Sequence, residues 1–351
     1  MGDSAPLRWP LAGTDPQAAL FPGTVEAEPR RGLPSVEYLH VNARTIISEV
    51  TSASRMPFRF TINAYRGCSH ACTYCFARPT HEYLGLGGGE DFERRLVVKV
   101  NAVERLRAEL ADRRWRGDHI AMGTNTDPYQ PCEGRYRLTR GIIGELVAAR
   151  NEFSILTKST MILRDLDLLR EASANGLVRA NLSIGTLDEH VWRISEPGTP
   201  PPLRRVEAVA RLVEAGIPCG VLIAPVLPGL SDGDEQLAEV VQACVEAGAT
   251  SISTILLHLR PGVRELYLPW LASVRPDLVP RYAELYARGS YLPRAVQDAH
   301  AARVRELVQR FGGLPTSPLS SRGLRAAARP VGAPADRHRD EPAGEQLRLV
   351  G

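Results

Sequence analysis

The 351-residue sequence predicts an α/β fold, a partial (β/α)6 TIM-like barrel. Three observations carry that expectation. Short Val/Ile/Leu-rich runs alternate in strict order with longer runs of helical periodicity, the pattern of a parallel sheet covered by helices. Polar residues gather at the C-terminal ends of the short runs, where parallel strands present their chemistry. No G-x-G-x-x-G follows the first strand, so a doubly wound dinucleotide fold is disfavoured, and six clear units rather than eight point to an incomplete barrel.

The units follow one another along the chain. "FRFTINAY" (58–65) reads as the first strand. "NAVERLRAELADRRW" (101–115) carries Val103, Leu106 and Leu110 at helical spacing, with Asn101 as a candidate cap. "HIAMGTN" (119–125) is the second strand and "LTRGIIGELVAAR" (138–150) its helix. "FSILTKS" (153–159) and "LRDLDLLREAS" (163–173) form the third unit, and "VRANLSIGT" (178–186) with "PLRRVEAVARLVEAG" (202–216) the fourth, closed by Gly216. "PCGVLIAPVLPG" (218–229) and "GDEQLAEVVQACVEAG" (233–248) make the fifth, "TSISTILLHL" (250–259) is the sixth strand, and a last helix covers 293–313.

Composition bounds the rest. Hydrophobic residues make up 44% and mean hydropathy is −0.17, enough for a large core, and no window of eighteen apolar residues predicts a membrane span. The N-terminal segment has no continuous apolar run, so a cytoplasmic, reducing location is expected. A net charge of +3 does not argue for nucleic acid as a partner. Pro, Gly and Ala predict an N-terminal arm over 1–35, the barrel with its C-terminal helix over 36–315, and a disordered tail over 316–351.

Three of the six cysteines, Cys68, Cys72 and Cys75, fall in "YRGCSHACTYCFAR" at spacing C-x3-C-x2-C, directly after the first strand. Such a loop can curl round one metal or one face of a cluster, and a four-iron cluster held by protein alone takes four cysteines. With three, the fourth position is open for a small ligand, as in catalytic metal sites. A zinc site completed by His70 or His81, and an electron-transfer cluster completed by Cys132, are the alternatives on the residues alone. Cys219 and Cys244 stand in apolar runs and read as buried small hydrophobes. "GLGGGEDFE" (85–93) lacks G-K-[ST] and is read as a flexible connection or lid.

The cysteine loop, with Tyr74 before its last cysteine, resembles the signature of the radical S-adenosylmethionine (SAM) enzymes. "YRGCSHACTYCFARPTHEYL", "VVKVNAVERLRAEL", "GTNTDPYQPCE", "LTKST", "NLSIGT" and "ISEPGTPPPLRRVEAVARLVEAG" are more narrowly similar to the branch related to spore photoproduct lyase, close to its uncharacterised actinobacterial members. The resemblance covers about residues 35–315. It implies a partial barrel of the radical SAM type and a [4Fe-4S] cluster on Cys68, Cys72 and Cys75. It implies too that the free iron chelates SAM, whose reductive cleavage yields a 5'-deoxyadenosyl radical that abstracts hydrogen from substrate. An electron donor such as flavodoxin or ferredoxin is implied as partner. The substrate is not identified by these residues; the alternative function is a thymine-dimer DNA lyase, or a non-catalytic iron-sulfur or metal-binding protein.

The same resemblance assigns cofactor-binding roles. Tyr74 stands beside the cluster or the adenine. Thr124, Asn125 and Thr126 offer oxygens to the SAM amino group, and Asp127 can pair with that ammonium or act on substrate. Lys158, at the end of the third strand, suits the SAM carboxylate. Ser183 and Asn181 alternate onto one face of the fourth strand, and Glu196 follows it. Where the lyase carries a cysteine that returns hydrogen to the product, this chain has Thr124, a poorer hydrogen-atom donor. Cys132, eight residues on, is the candidate catalytic substitute if its loop folds back. Tyr129, Gln130 and Glu133 would join it in a polar loop over the mouth, Arg260 and His258 would close the sixth strand, and Lys99 and Asn101 would bridge the first long helix to the site.

Overall fold

The computed structural model describes residues 26–30, 33–50 and 56–314. The expected tail over 316–351 and positions 1–25 of the expected arm lie outside them. The strands are, in chain order, β1 (Glu26–Arg30), β2 (Leu33–Val41), β3 (Ile47–Glu49), β4 (Phe60–Ile62), β5 (Tyr65–Arg66), β6 (Arg95–Lys99), β7 (Ile120–Met122), β8 (Phe153–Thr157), β9 (Val178–Ser183), β10 (Cys219–Val226) and β11 (Ser251–Leu256).

Seven strands form the main sheet in the order β11-β10-β9-β8-β7-β4-β3. The neighbours from β4 through β11 are all parallel, and β3 adds an antiparallel edge to β4. The six predicted barrel strands therefore stand side by side in chain order, with helices between them, as in a partial TIM-like barrel. Among the described residues no pairing joins β11 to β3 or β4. Helix Arg294–Arg310 runs beside β11, where Thr254 and His300 Nε2 are hydrogen-bonded at 3.1 Å.

The helices bury the faces their periodicity dictates. Helix Pro202–Glu214 turns Arg205, Ala208, Val209 and Leu212 inward, and the next residues end it through Gly216 at φ 78°. Helix Asp234–Glu246 buries Leu237, Val240, Val241 and Cys244. Cys244 lies against Cys219 at the start of β10, and burial pushes both thiols up to about 12, so these two serve as core side chains.

A second sheet, β1-β2-β6-β5, was not legible as such. The first predicted strand divides at Asn63: β4 stays in the main sheet, and β5 crosses to pair antiparallel with β6, Tyr65 opposite Val98. The described part of the arm is the edge strand β1 and the first residues of β2, to which β1 pairs antiparallel. Asn101 stands at the N-cap of its helix, but its side chain makes no capping bond. Its side chain accepts from Ala43 N at 2.8 Å and donates to Ala43 O at 3.0 Å, tying β2's exit to the helix start. None of the helices among the described residues is long and apolar enough to cross a membrane.

Candidate active site

The cysteine loop leaves β5 through Gly67, whose φ is +77° and whose place for a Cβ lies 2.8 Å from both Leu96 Cδ2 and Phe92 O. Glycine is required there by backbone conformation and by neighbours in the small sheet. The loop is then pinned from several sides. Cys68 N donates to Phe92 O at 2.8 Å, Ser69 N to Gln130 Oε1 at 3.0 Å, and Gln130 Nε2 back to Gly67 O at 3.2 Å. Thr73 N donates to Ser195 O, and Gly198 N to His70 O, both at 3.0 Å. A Cβ at Gly198 would stand 2.2 Å from Ser69 O, so the "EPG" turn presses backbone on backbone against the loop.

Cys68, Cys72 and Cys75 are free thiols, and Cys68 feels the charges of both others. Burial raises all three; Cys72 is pushed up to about 12, with Glu196 adding to the rise and Lys158 and Arg205 opposing it. Thiols so placed become thiolates only when a metal supplies compensating charge. Among the described residues no three His, Cys, Asp or Glu side chains converge as on a single ion. A cubane cluster asks for something else, each thiolate on its own iron, and three thiols spread along one rigid loop fit that donor set. His70 is turned away from such a role: its Nδ1 stands 3.4 Å from Asp127 Oδ2. Cys132 is buried in the core, where its charge bears on Tyr65.

Arg78 clamps the loop's far end. Its guanidinium is buried, donates to Cys72 O at 2.8 and 3.1 Å and to Gly88 O and Gly89 O at 3.2 and 3.1 Å, and pairs with Glu93. The glycine-rich connection is thereby tied to the cysteine loop.

The predicted cofactor residues fall into two sets. Lys158, Ser183, Glu196 and Tyr74 converge. Lys158 Nζ donates to Ser183 Oγ at 2.8 Å, Glu196 Oε1 at 3.0 Å and Ala224 O at 3.3 Å, and lies 5.6 Å from the Tyr74 ring centre. Tyr74 OH donates to the same Glu196 oxygen. Glu196 Oε2 accepts from Arg205 at 2.5 Å, and Arg205 also reaches Ser183 O at 3.1 Å and Pro200 O at 3.0 Å. Burial would raise the Glu196 carboxyl, but Arg205 and Lys158 outweigh it and hold the group well below the usual carboxylate range. Arg205 was missed in the sequence because it reads as one more charge on an amphipathic helix. Asn181 shares the face of Ser183 two residues earlier on β9, its amide donating to Ile155 O at 3.4 Å and not to the Lys158 group.

The "GTNTD" turn forms the second set, organised by Asn63, whose Oδ1 accepts from Asn125 N at 3.2 Å and Thr126 N at 3.4 Å. Thr124 Oγ1 is hydrogen-bonded to Thr61 Oγ1, and Asn125 Oδ1 accepts from Thr80 at 3.4 Å. Thr126 is buried and donates to Tyr65 O at 3.2 Å. Asp127 is half-buried. It accepts from Thr157 Oγ1 at 2.6 Å, Lys158 N at 2.7 Å and Tyr129 N at 2.9 Å; burial would raise it, and His70 with these donors holds it low. That geometry makes Asp127 a brace between the cysteine loop and β8.

The polar loop expected over the mouth folds inward instead. Tyr129, Gln130, Cys132 and Glu133 are buried. Tyr129 OH donates to Asp165 at 3.1 Å, while Glu133 accepts from Tyr65 OH and from Arg164 at 3.0 Å. Every polar atom that looked available is satisfied by a partner distant in sequence. At the end of β11, Arg260 and His258 do come together, around Tyr291. Arg260 donates to its hydroxyl at 2.7 Å and His258 stands edge-on at 4.4 Å between ring centres. Tyr291 keeps 45% of its surface exposed.

The family model described as the radical SAM superfamily matches residues 62–241. An uncharacterized protein of Mycobacterium tuberculosis is 45% identical over 276 residues, 79% of this chain and 81% of that one. The spore photoproduct lyase of Bacillus subtilis is 24% identical over 195 residues, 55% of this chain and 54% of the lyase. Among solved structures, a spore photoproduct lyase complexed with dinucleoside spore photoproduct superposes with TM-score 0.57 at 17% identity, covering 78% of this chain and 79% of the other. At that identity the likeness is one of fold.

Proposed function

Since the chain belongs to the radical SAM superfamily, we propose that Cys68, Cys72 and Cys75 hold a [4Fe-4S] cluster in the mouth of a partial (β/α)6 barrel, and that the protein acts on a nucleobase lesion of the photoproduct class. The observation that carries the chemistry is the convergence of Lys158, Ser183 and Glu196 on Tyr74, within the cysteine loop itself. When bound, cluster and SAM supply a 5'-deoxyadenosyl radical by one-electron cleavage, the electron coming from a flavodoxin or ferredoxin.

The chain's own residues then have distinct tasks. Lys158 presents an ammonium to the SAM carboxylate, and Ser183, whose hydroxyl donates to Ala224 O at 2.8 Å, accepts from that ammonium and orients it. Glu196 fixes the Lys158 ammonium in place and is fixed in turn by Arg205. Thr124 and Asn125 offer oxygens to the amino group or ribose. Thr124 also occupies the place of the lyase's hydrogen-returning cysteine, so hydrogen return here does not use a thiol at that position. Cys132 is buried, with its charge bearing on Tyr65, and is given no step here.

The nucleobase reading is supported by the named relative and by the Arg260–His258–Tyr291 group. An exposed ring with a guanidinium and an imidazole at its side is the kind of surface on which a base stacks. The test is anaerobic reconstitution of the full chain, reduction with dithionite, and assay for 5'-deoxyadenosine. A [4Fe-4S] protein that never cleaves SAM overturns the radical chemistry. If 5'-deoxyadenosine forms but DNA carrying spore photoproduct is left unrepaired, the photoproduct substrate is wrong and a different substrate of the same chemistry stands in its place.

A further inference from the structure

Arg66 and Lys99 stand on one face of the small sheet. Arg66 is opposite Val97 in the antiparallel pair of β5 and β6, and Lys99 follows two residues on, its backbone N–H donating to Ala64 O at 3.0 Å. Residues in that relation are diagonal neighbours. The face they share is apolar: Val41 pairs with Lys99 and Leu39 with Val97 in the parallel ladder, and Leu84 and Leu86 pack over them.

Among the described residues neither cation forms an ion pair. Among the described residues no hydrogen bond or ion pair reaches Lys99 Nζ, although Lys99 is only 8% exposed. Arg66 Nε is buried with no acceptor. The carboxylate that bears on Lys99 is Glu109, and both of its oxygens are already engaged by Ile46 N and Ile47 N at 2.8 Å. Burial and the nearby Arg66 charge bring the Lys99 ammonium down to about 8. Two like charges set side by side in apolar surroundings, with Glu109 acting on Lys99 only through space and no ion pair to either, weaken a fold. Every other buried cation near the cysteine loop, Arg78, Lys158 and Arg205, has a carboxylate partner.

We propose that Arg66 and Lys99 form an anion subsite that takes a phosphodiester of the substrate, immediately before the cysteine loop. A planar guanidinium beside a compact ammonium is a donor set for phosphate oxygens, and the low-dielectric surroundings strengthen the attraction. Arg66 is one residue from Gly67 and two from Cys68, so a phosphate held there places the adjoining nucleoside against the loop. Naming the anion as a phosphodiester rests on the nucleobase reading above; the uncompensated cation pair does not.

The experiment uses the anaerobically reconstituted full chain, with calorimetric titration and thermal melts. The probes are inorganic phosphate, a thymidine dinucleotide containing its phosphodiester, and the matching dinucleoside without it. The expected result is tighter binding of the dinucleotide than of the dinucleoside, and roughly tenfold or greater loss of that preference in Lys99→Met. R66K retains part of it. Ligand-free Lys99→Met melts no lower than wild type, because an unpaired buried charge has been replaced by an apolar side chain. That combination separates a binding role from a structural one. The proposal is overturned if the phosphodiester gives no advantage, if only inorganic phosphate binds, or if Lys99→Met melts lower while binding the dinucleotide as wild type does. Failure of SAM cleavage would leave the phosphodiester preference standing, so the two readings fail separately.

Discussion

Lys158 Nζ and Glu196 Oε1, thirty-eight residues apart in the chain, meet at 3.0 Å and share Tyr74 as a common neighbour. The pair joins the end of β8 to the turn after β9 and to the cysteine loop, so one contact reports on three elements of the site.

Breaking it from the acid side leaves two buried cations without their counter-charge. Glu196→Ala is expected to lose about 3–5 kcal/mol of stability, the usual cost of orphaning a buried ion-pair partner. Urea unfolding of the full chain checks it. A loss below 1 kcal/mol would mean that Arg205 and Lys158 find other partners.

The same carboxylate sets an acid limb. Its folded-state pKa lies below the unfolded value near 4.5. The unfolded chain therefore binds more protons as pH falls through that value, and the stabilisation present above it is lost progressively below. Asp127, also depressed, acts in the same direction. Glu196→Gln should show a shallower decline of unfolding free energy below pH 4.5 than wild type. Parallel slopes for the two proteins would remove Glu196 as a source of the effect.

Replacing Lys158 by Met should raise the dissociation constant for SAM by roughly tenfold or more, since a charge-assisted hydrogen bond is removed. Iron and sulfide content should stay unchanged. Equilibrium dialysis and metal analysis of the reconstituted protein decide this. Loss of iron with loss of SAM would assign Lys158 to the loop instead of the cofactor.

Single alanine replacements of Cys68, Cys72 or Cys75 should bring iron and sulfide after reconstitution to background. Cys132→Ala should retain both, because that thiol lies beside Tyr65 in the core. A Cys132 variant without iron would reinstate it as a fourth ligand.

Asp127→Asn turns an acceptor of three hydrogen bonds into a group that also points an NH2 at donors. About 1–3 kcal/mol of stability should be lost for the buried donors left unmet. Retained cluster content at ordinary temperature, with that lower unfolding free energy, is the expected signature. An unchanged unfolding curve would contradict the bracing role.

The six parallel strands of the main sheet were legible because each is a short, largely apolar run bounded by turn residues, with its partner one unit away; the antiparallel edge β3, only three residues long, was not read. The small sheet was not legible either. β6 reads as a lead into the next helix, and its partner β2 lies more than fifty residues earlier, so nothing local marks the pairing. The cysteine loop, Lys158 and Glu196 were singled out from motif and strand end, and the fold brings Lys158 and Glu196 onto Tyr74 of that loop. Gln130 and Glu133 were misplaced on the surface because polar side chains ordinarily sit there. Their partners, Gly67, Tyr65 and Arg164, are visible only once the chain has folded. Asn63 and Arg205 act through backbone and buried contacts that carry no periodic or compositional signal.

The main sheet begins at β3 and ends at β11 without the two meeting, with helix Arg294–Arg310 standing along the last strand. A closed cylinder is entered only from its end, and what enters must fit whole inside the rim. A wall with a gap is a slot. One unit of a long polymer can be slid in sideways while the strand on either side of it stays outside. Among the described residues no ladder of backbone hydrogen bonds closes the sheet, so no complete ring sets the size of what passes between β3 and β11, where helix Arg294–Arg310 stands as a doorpost.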